Sequence, residues 1–147
     1  MFSSNPGQYS AQRNSFANAY RTVSASTAIT DASPHKLVSM LYVGLQGEIA
    51  RARGALARRD VVEKCRAIGH AVRIVQEGLL APLDMQNGGS IAANLQHLYD
   101  YIVRRLTLAN LHNDDAMLSE CATLVETLRE GWDGIADQAS THAASAQ

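Results

Sequence analysis

Four long segments in which apolar residues recur every three or four positions constrain the fold of this chain more than any other feature. This spacing places the apolar side chains along one face of an α-helix. Only three prolines occur in 147 residues, so few positions interrupt a helix. The first segment shows the pattern well, with an apolar seam predicted at Leu37, Leu41, Leu45, Ala52 and Leu56.

Helix-start signals divide the four segments. Ser33 is a good N-cap, and Pro34 at the first helical position loses no hydrogen bond that the helix needs. The connections between segments are short, which forces neighbouring helices to run antiparallel. We therefore predict an all-α fold, an antiparallel up-down four-helix bundle over residues 14–137. The other three helices are predicted to start near Asp60, at Ser90, and at Asn113 or Asp114.

The two ends of the chain differ from the bundle. Residues 1–13 and 138–147 are polar and are predicted to be disordered tails. Residues 14–26 form a short amphipathic helix in this prediction, with Phe16, Tyr20 and Val23 on one face. A helix of about three turns is marginal in isolation, so it must dock on the bundle as a cap or fray.

Charge and hydropathy exclude several classes of partner. The net charge is −1, so no global attraction to nucleic acid or to an anionic membrane is expected. The cluster of Arg51, Arg53, Arg58 and Arg59 lacks the interleaved aromatic residues of a nucleic-acid site. No stretch approaches the length of a membrane span, and the first residues do not have the pattern of a signal peptide. These features predict a cytoplasmic protein without direct membrane insertion.

The side chains that carry chemistry are not spaced for catalysis or for metal binding. The five histidines form neither Glu-x-x-His nor His-Glu-x-x-His, so we predict no catalytic residue, metal or cofactor. His70 leaves open a bundle that signals by histidine phosphorylation. Cys65 and Cys121 each lie in an apolar helical pattern, which predicts two buried thiols rather than a disulfide.

The first and third helices carry apolar arcs wider than a bundle core needs. In an antiparallel bundle they lie diagonally, so their flanks are expected to line grooves between helices. The flanks of the first helix contain Met40, Gly44 and Gly47 on one side and Tyr42 on the other. Those of the third contain Tyr101 and Leu108 on one side and Tyr99 on the other.

The glycine pair beside Met40 predicts a shallow trough that an amphipathic helix or an extended apolar segment could occupy. Two other interpretations stay open. The flanks could simply pack on neighbouring helices, with Gly44 and Gly47 permitting a close crossing. Alternatively, the docked N-terminal helix could lie over part of the trough.

Several short motifs occur in the order typical of one protein family. Taken together over about residues 16–136, they are similar to the flagellin-specific export chaperones of the FliS family. The motifs include Asn18-Ala19-Tyr20, Ser33-Pro34-His35-Lys36-Leu37-Val38, Met40-Leu41-Tyr42-x-Gly44, Leu98-Tyr99-Asp100-Tyr101, Arg104-Arg105-Leu106 and Trp132.

The resemblance implies a bundle that binds the C-terminal segment of flagellin in the bacterial cytoplasm. It implies that flagellin is thereby kept unpolymerised until the flagellar type III export apparatus takes it. The client segment is expected to wrap around the bundle in apolar grooves, and the N-terminal helix is expected to shift or be displaced. Contact of the complex with the membrane export gate component is also implied, and a different filament protein is the alternative client.

The family's functional positions carry over only where the motifs match. One departure is Val43, where the family usually has aspartate, so any polar contact made by that aspartate is lost or replaced here. The resemblance, together with the predicted trough, implies a partner-binding set of Ala17, Tyr20, Val23, Met40, Leu41, Tyr42, Gly44, Gly47, Tyr99, Tyr101 and Leu108.

Overall fold

The computed structural model describes residues 15–20 and 33–145, with side chains as far as Ile135. Every regular element in this part of the chain is helical. Residues 15–20, which contain one helical turn and are called the N-terminal segment below, precede the main helices. These helices are α1 (Pro34–Ala57), α2 (Val61–Arg73), a π-helix (Ile74–Leu80) that continues α2, α3 (Gly89–His112) and α4 (Asp115–Ser145).

The packing of the helices confirms the predicted all-α antiparallel bundle. Helix α1 packs against α2 and α4, and α3 packs against the same two helices. Helices α1 and α3 therefore face each other across the core, as the short connections predicted. Helix α4 continues as far as Ser145, eight residues beyond position 137 where the sequence pattern ended the bundle. The N-terminal tail predicted over residues 1–13 lies outside the described residues.

Local capping explains where the helices begin. The Ser33 hydroxyl accepts a hydrogen bond from the Lys36 amide (3.2 Å), and Asp60 accepts one from the Glu63 amide (3.1 Å). The Asp114 carboxylate accepts from the amides of residues 116 and 117 at the start of α4. These three starts confirm the sequence signals.

The start of α3 differs from the prediction. Its N-cap position is Gly88 rather than Ser90. The preceding turn is organised by the Asp84 carboxylate, which accepts hydrogen bonds from the backbone amides of Gln86 and Asn87. This turn also lies against the N-terminal segment, because a Cβ atom at Gly88 would be 3.0 Å from the Ala19 Cα atom. Atoms of Asp84 and Ala92 are closer still, at 2.8 and 2.6 Å, so there is no room for a side chain at position 88.

The buried face of α1 is rotated relative to the predicted seam. Leu45 and Ala52 are fully buried as expected, but Leu37, Leu41 and Leu56 are only half-buried. The predicted seam is displaced because α1 packs on both α2 and α4. Its buried face therefore points between these two helices. The additional buried residues of α1 are Val38, Tyr42, Glu48, Ile49 and Ala55.

One of the two cysteines does not lie where the pattern predicted. Cys121 is buried, and its burial raises the pKa of the thiol to about 11. The prediction that Cys65 is buried is wrong, because its side chain is exposed, with Sγ 3.5 Å from the Asn110 Oδ1 atom. The core face of α2 passes instead through Ala67, Ile68 and Ala71.

Candidate binding groove and tyrosine network

An open groove runs between α1 on one side and α2 with the π-helix on the other. Its volume is about 510 Å³, and one side of it is formed by the exposed side chain of Met40. The lining is almost entirely apolar: Leu37, Val38, Met40, Leu41 and Gly44 from α1, His70 from α2, Ile74 and Gly78 from the π-helix, and Pro82 after it. The predicted trough beside Met40 is therefore present in the structure.

Gly44 lines the groove and Gly47 does not, and neither glycine is needed for a close approach of two helices. A Cβ atom at Gly44 would be 3.8 Å from Ile74 Cδ1, which is ordinary contact, and one at Gly47 would meet nothing within 4 Å. The interpretation in which Gly44 and Gly47 permit a close crossing is therefore wrong. Close approach occurs at Gly78, where a Cβ atom would be 3.0 Å from the Leu41 side chain.

The second wall of the groove was missed by the sequence analysis. The sequence predicted one regular helix starting near Asp60, whereas Ile74 and Gly78 lie in a π-helix within that segment. Here the Ala81 amide donates to the Gln76 carbonyl, five residues back, at 3.0 Å. Gly78 in the middle of an apolar helical pattern was the available signal, because an interior glycine commonly marks close packing.

The predicted site residues divide between three places in the structure. Met40, Leu41 and Gly44 line the groove. Tyr101 and Leu108 lie on α3, and the Tyr101 hydroxyl donates to the Glu120 carboxylate that also pairs with Arg105. Tyr101 therefore faces α4, and neither Tyr101 nor Leu108 is among the residues that line the groove.

Two tyrosines of the predicted set lie in the core. Tyr42 and Tyr99 have no exposed surface, so the prediction that they line grooves is wrong. The apolar pattern of a single helix predicted both residues on its flanks. In the structure the two side chains meet in the core between α1 and α3. Their hydroxyl oxygens are 2.6 Å apart.

The N-terminal segment docks at the end of the bundle, away from the groove. Tyr20 is buried and its ring lies edge-on to Trp132, with centroids 5.6 Å apart. Phe16 packs on the same indole at 5.0 Å, while Ala17 is exposed. Residues 15–20 are not among those lining the groove, so they do not form the lid over the trough that the sequence left open. Val23 lies outside the described residues.

Three buried hydroxyl groups form a chain with a defined direction. Tyr20 donates to the Leu79 carbonyl at 2.8 Å, which uses its only proton. The 2.6 Å contact between Tyr20 and Tyr99 must then be a bond donated by Tyr99. Tyr42, at the same distance on the other side, donates to Tyr99. The chain thus runs from α1 through α3 to the N-terminal segment and ends on the π-helix.

Trp132, on α4, connects the tyrosine network to the start of α1. Its ring stacks on His35 with centroids 4.5 Å apart. The indole N–H donates to the His35 carbonyl, and the His35 ring donates through Nε2 to the Trp132 carbonyl, both at 2.9 Å. The start of α1, the end part of α4 and the N-terminal segment therefore meet at one side chain.

The tyrosine network makes the fold sensitive to alkaline pH. Burial raises the pKa of Tyr20, Tyr42 and Tyr99 well above 10.0. A raised pKa in the folded state means that stability is fully present below about pH 10 and is lost as the pH rises further. Above that pH we expect the free energy of unfolding to fall by about 1.4 kcal/mol per pH unit for each buried tyrosine.

Denaturant unfolding from about pH 9 to about pH 11 measures this slope. Tyr42→Phe should reduce the slope of the free energy of unfolding against pH by the contribution of one buried tyrosine. Tyr101→Phe, at an exposed position, should reduce this slope less. Spectroscopic titration provides the opposing test. If the folded protein forms tyrosinate at all five of its tyrosines before it unfolds, the buried network is wrong.

His70 lies beside a buried carboxylate, that of Glu48. The His70 Nδ1 atom is 3.5 Å from Glu48 Oε1, and Glu48 is also paired with Arg51 and Arg66. In the described part of the chain, no group of three or more His, Cys, Asp and Glu side chains could hold a metal ion. Among the helices described, none is long and apolar enough to cross a membrane.

Comparison with known proteins agrees with the order of the motifs. A family model described as flagellar protein FliS matches residues 16–139. The chain belongs to the FliS family. The flagellar secretion chaperone FliS of Salmonella typhimurium is 44% identical over 122 residues, which cover 83% of this chain and 90% of that protein.

More distant FliS proteins extend the similarity across bacteria. The flagellar secretion chaperone FliSB of Pseudomonas aeruginosa is 41% identical over 79% of this chain and 91% of its own length. The FliS protein of Bacillus subtilis is 31% identical over 71% of this chain and 77% of its own length. The resemblance derived from the motifs is confirmed.

Proposed function

We propose that this protein is a flagellar export chaperone that binds the C-terminal segment of flagellin in the groove between α1 and the π-helix. Binding keeps flagellin from polymerising in the cytoplasm, and the complex is delivered to the flagellar type III export apparatus. The observation that carries the proposal is the open apolar groove at Met40, Leu41 and Gly44.

The groove suits an amphipathic segment better than a small polar ligand. Among the described residues that line it, His70 is the only titratable one, so recognition must come from apolar burial. A client that is disordered when free must lose conformational entropy on binding, and a large apolar contact offsets that cost. A groove of about 510 Å³ holds several side chains, which is too little for a long segment.

The rest of the client segment would follow other faces of the bundle. Val43 is exposed on α1 next to the groove-lining residues, and it extends the apolar surface where the family usually has aspartate. Tyr101 and Leu108 on α3 are the proposed contacts for a segment that wraps around the bundle. Tyr20, Tyr42 and Tyr99 contribute through the buried network rather than by direct contact. A membrane export gate component is the proposed second partner of the loaded complex.

Titration calorimetry with a peptide of the last ~40 residues of the host's own flagellin tests the proposal, because coupled folding and binding gives a large negative heat-capacity change. We expect one peptide per chaperone, with a heat of binding that becomes strongly more exothermic on warming. No binding at tens of micromolar would reject flagellin as the client. The same titration with another filament protein would then test the alternative.

A further inference from the structure

A second, smaller pocket opens beside the groove and shares a wall with it. This side pocket has a volume of about 290 Å³. Arg73 and Glu77 line the side pocket and are not among the residues that line the groove. The residues that line both cavities are Leu41, His70, Ile74 and Gly78. The apolar groove therefore continues into a charged corner on the side of α2 and the π-helix.

The ion pair in the side pocket is weak enough to be exchanged for another. Arg73 Nη2 lies 3.5 Å from Glu77 Oε2, and the two side chains are 71% and 67% exposed. Such exposed pairs contribute little to stability, because water competes for both charges and ordering two long side chains costs entropy. The hydrogen bond uses one guanidinium nitrogen, which leaves the other donors of Arg73 available for a second carboxylate.

The other charges on this side of the groove are already engaged with each other. The buried carboxylate of Glu48, beside His70, is paired with Arg51 and Arg66. Among the described residues, Glu77 is the only carboxylate paired with Arg73. A carboxylate that enters the side pocket from the groove would therefore meet one available cation, with only Glu77 competing for it.

We propose that the side pocket binds an acidic side chain of the client, while the apolar residues next to it in the client fill the groove. The inference rests on the proposed function for the identity of the client. An apolar groove favours burial in any register, whereas a cation at its edge favours the one register that places a carboxylate there. Arg73 is then a specificity-determining residue, and Glu77 is the carboxylate that the client displaces.

Opposite effects of the two members of the ion pair on binding of the flagellin peptide test the proposal in the full-length protein. At low salt, Arg73→Gln should raise the dissociation constant about fivefold, whereas Glu77→Gln removes the competitor and should lower it about threefold. Both effects should shrink in about 1 M NaCl, where the Debye length is about 3 Å. A purely structural ion pair is lost in either variant, so shifts in the same direction would overturn the proposal.

Arg58→Gln and Glu126→Gln are the matched controls. They make the same two changes of net charge at exposed positions that line neither cavity. Both should bind the peptide like wild type. If they reproduce the effects of Arg73→Gln and Glu77→Gln, net charge rather than the side pocket is responsible and the proposal is wrong.

A scan of the peptide, in which each aspartate or glutamate is replaced in turn by its amide, identifies the acidic residue. One replacement should weaken binding to wild type about fivefold and abolish the further effect of Arg73→Gln, which is the coupling that a double-mutant cycle measures. If every amide-substituted peptide still responds to Arg73→Gln, the proposal is overturned. If wild type binds no flagellin peptide, the proposed function fails and this inference with it, whereas normal binding without the opposite shifts rejects the inference alone.

Discussion

Replacing Gly44 by leucine should lower the affinity for the flagellin segment by about 100-fold without lowering the stability of the bundle. The site has room for a Cβ atom, since the nearest atom is Ile74 Cδ1 at 3.8 Å. The rest of a leucine side chain would fill the groove. Leucine is a better helix former than glycine by nearly 1 kcal/mol, so folding should be favoured while binding is lost. Calorimetry and thermal unfolding of the same sample measure the two effects.

Gly69→Leu is the matched control. Gly69 lies in α2, does not line the groove, and a Cβ atom there would meet nothing within 4 Å. It should therefore gain helix stability and bind the client like wild type. Met40→Asp should weaken binding as Gly44→Leu does, because it places a charge on the apolar wall. Equal binding by the Gly44 and Gly69 variants would exclude the groove as the client site.

Replacing Trp132 by alanine should cost about 3–5 kcal/mol of the free energy of unfolding. The indole contacts three rings, those of Phe16, Tyr20 and His35, and its N–H group is hydrogen-bonded to the His35 carbonyl. Its removal leaves a cavity and releases the anchor of the N-terminal segment. Denaturant unfolding followed by circular dichroism measures the loss, since the only tryptophan is absent from this variant.

Tyr101→Ala provides the comparison for this prediction. It also removes an aromatic ring, but from a partly exposed position on α3, and should cost about 1 kcal/mol or less. A loss of the same size at both positions would show that Trp132 is not the anchor that joins α1, α4 and the N-terminal segment.

The helices could be predicted because their causes are local. Ser33, Asp60 and Asp114 cap helices through amides two or three residues away, and the apolar spacing is visible within a few turns. Short connections then left one simple arrangement of four helices. The trough beside Met40 followed from the same reasoning, because glycine leaves space on whichever helix face it occupies.

The predictions that failed needed contacts between distant parts of the chain. Tyr42 and Tyr99 are 57 residues apart, and helical position alone could not show that their hydroxyls meet in the core. The wrong prediction for Cys65 has a similar origin. The apolar pattern of α2 is wider than its buried face, so some residues of the pattern, including Cys65, are exposed. The pairing of the π-helix could not be predicted either, because its Leu79 carbonyl accepts a hydrogen bond from Tyr20, 59 residues earlier in the chain.

The sequence by itself determined four amphipathic helices, their antiparallel order and the membership of the FliS family. These depend on spacing, capping and motif order, all of which act over short stretches of chain. Only the tertiary structure decided which face of α1 lines a groove, which tyrosines are buried, and that a π-helix forms the other wall. Those features depend on how helices rotate against their neighbours, and rotation is set by packing between side chains that the sequence places far apart.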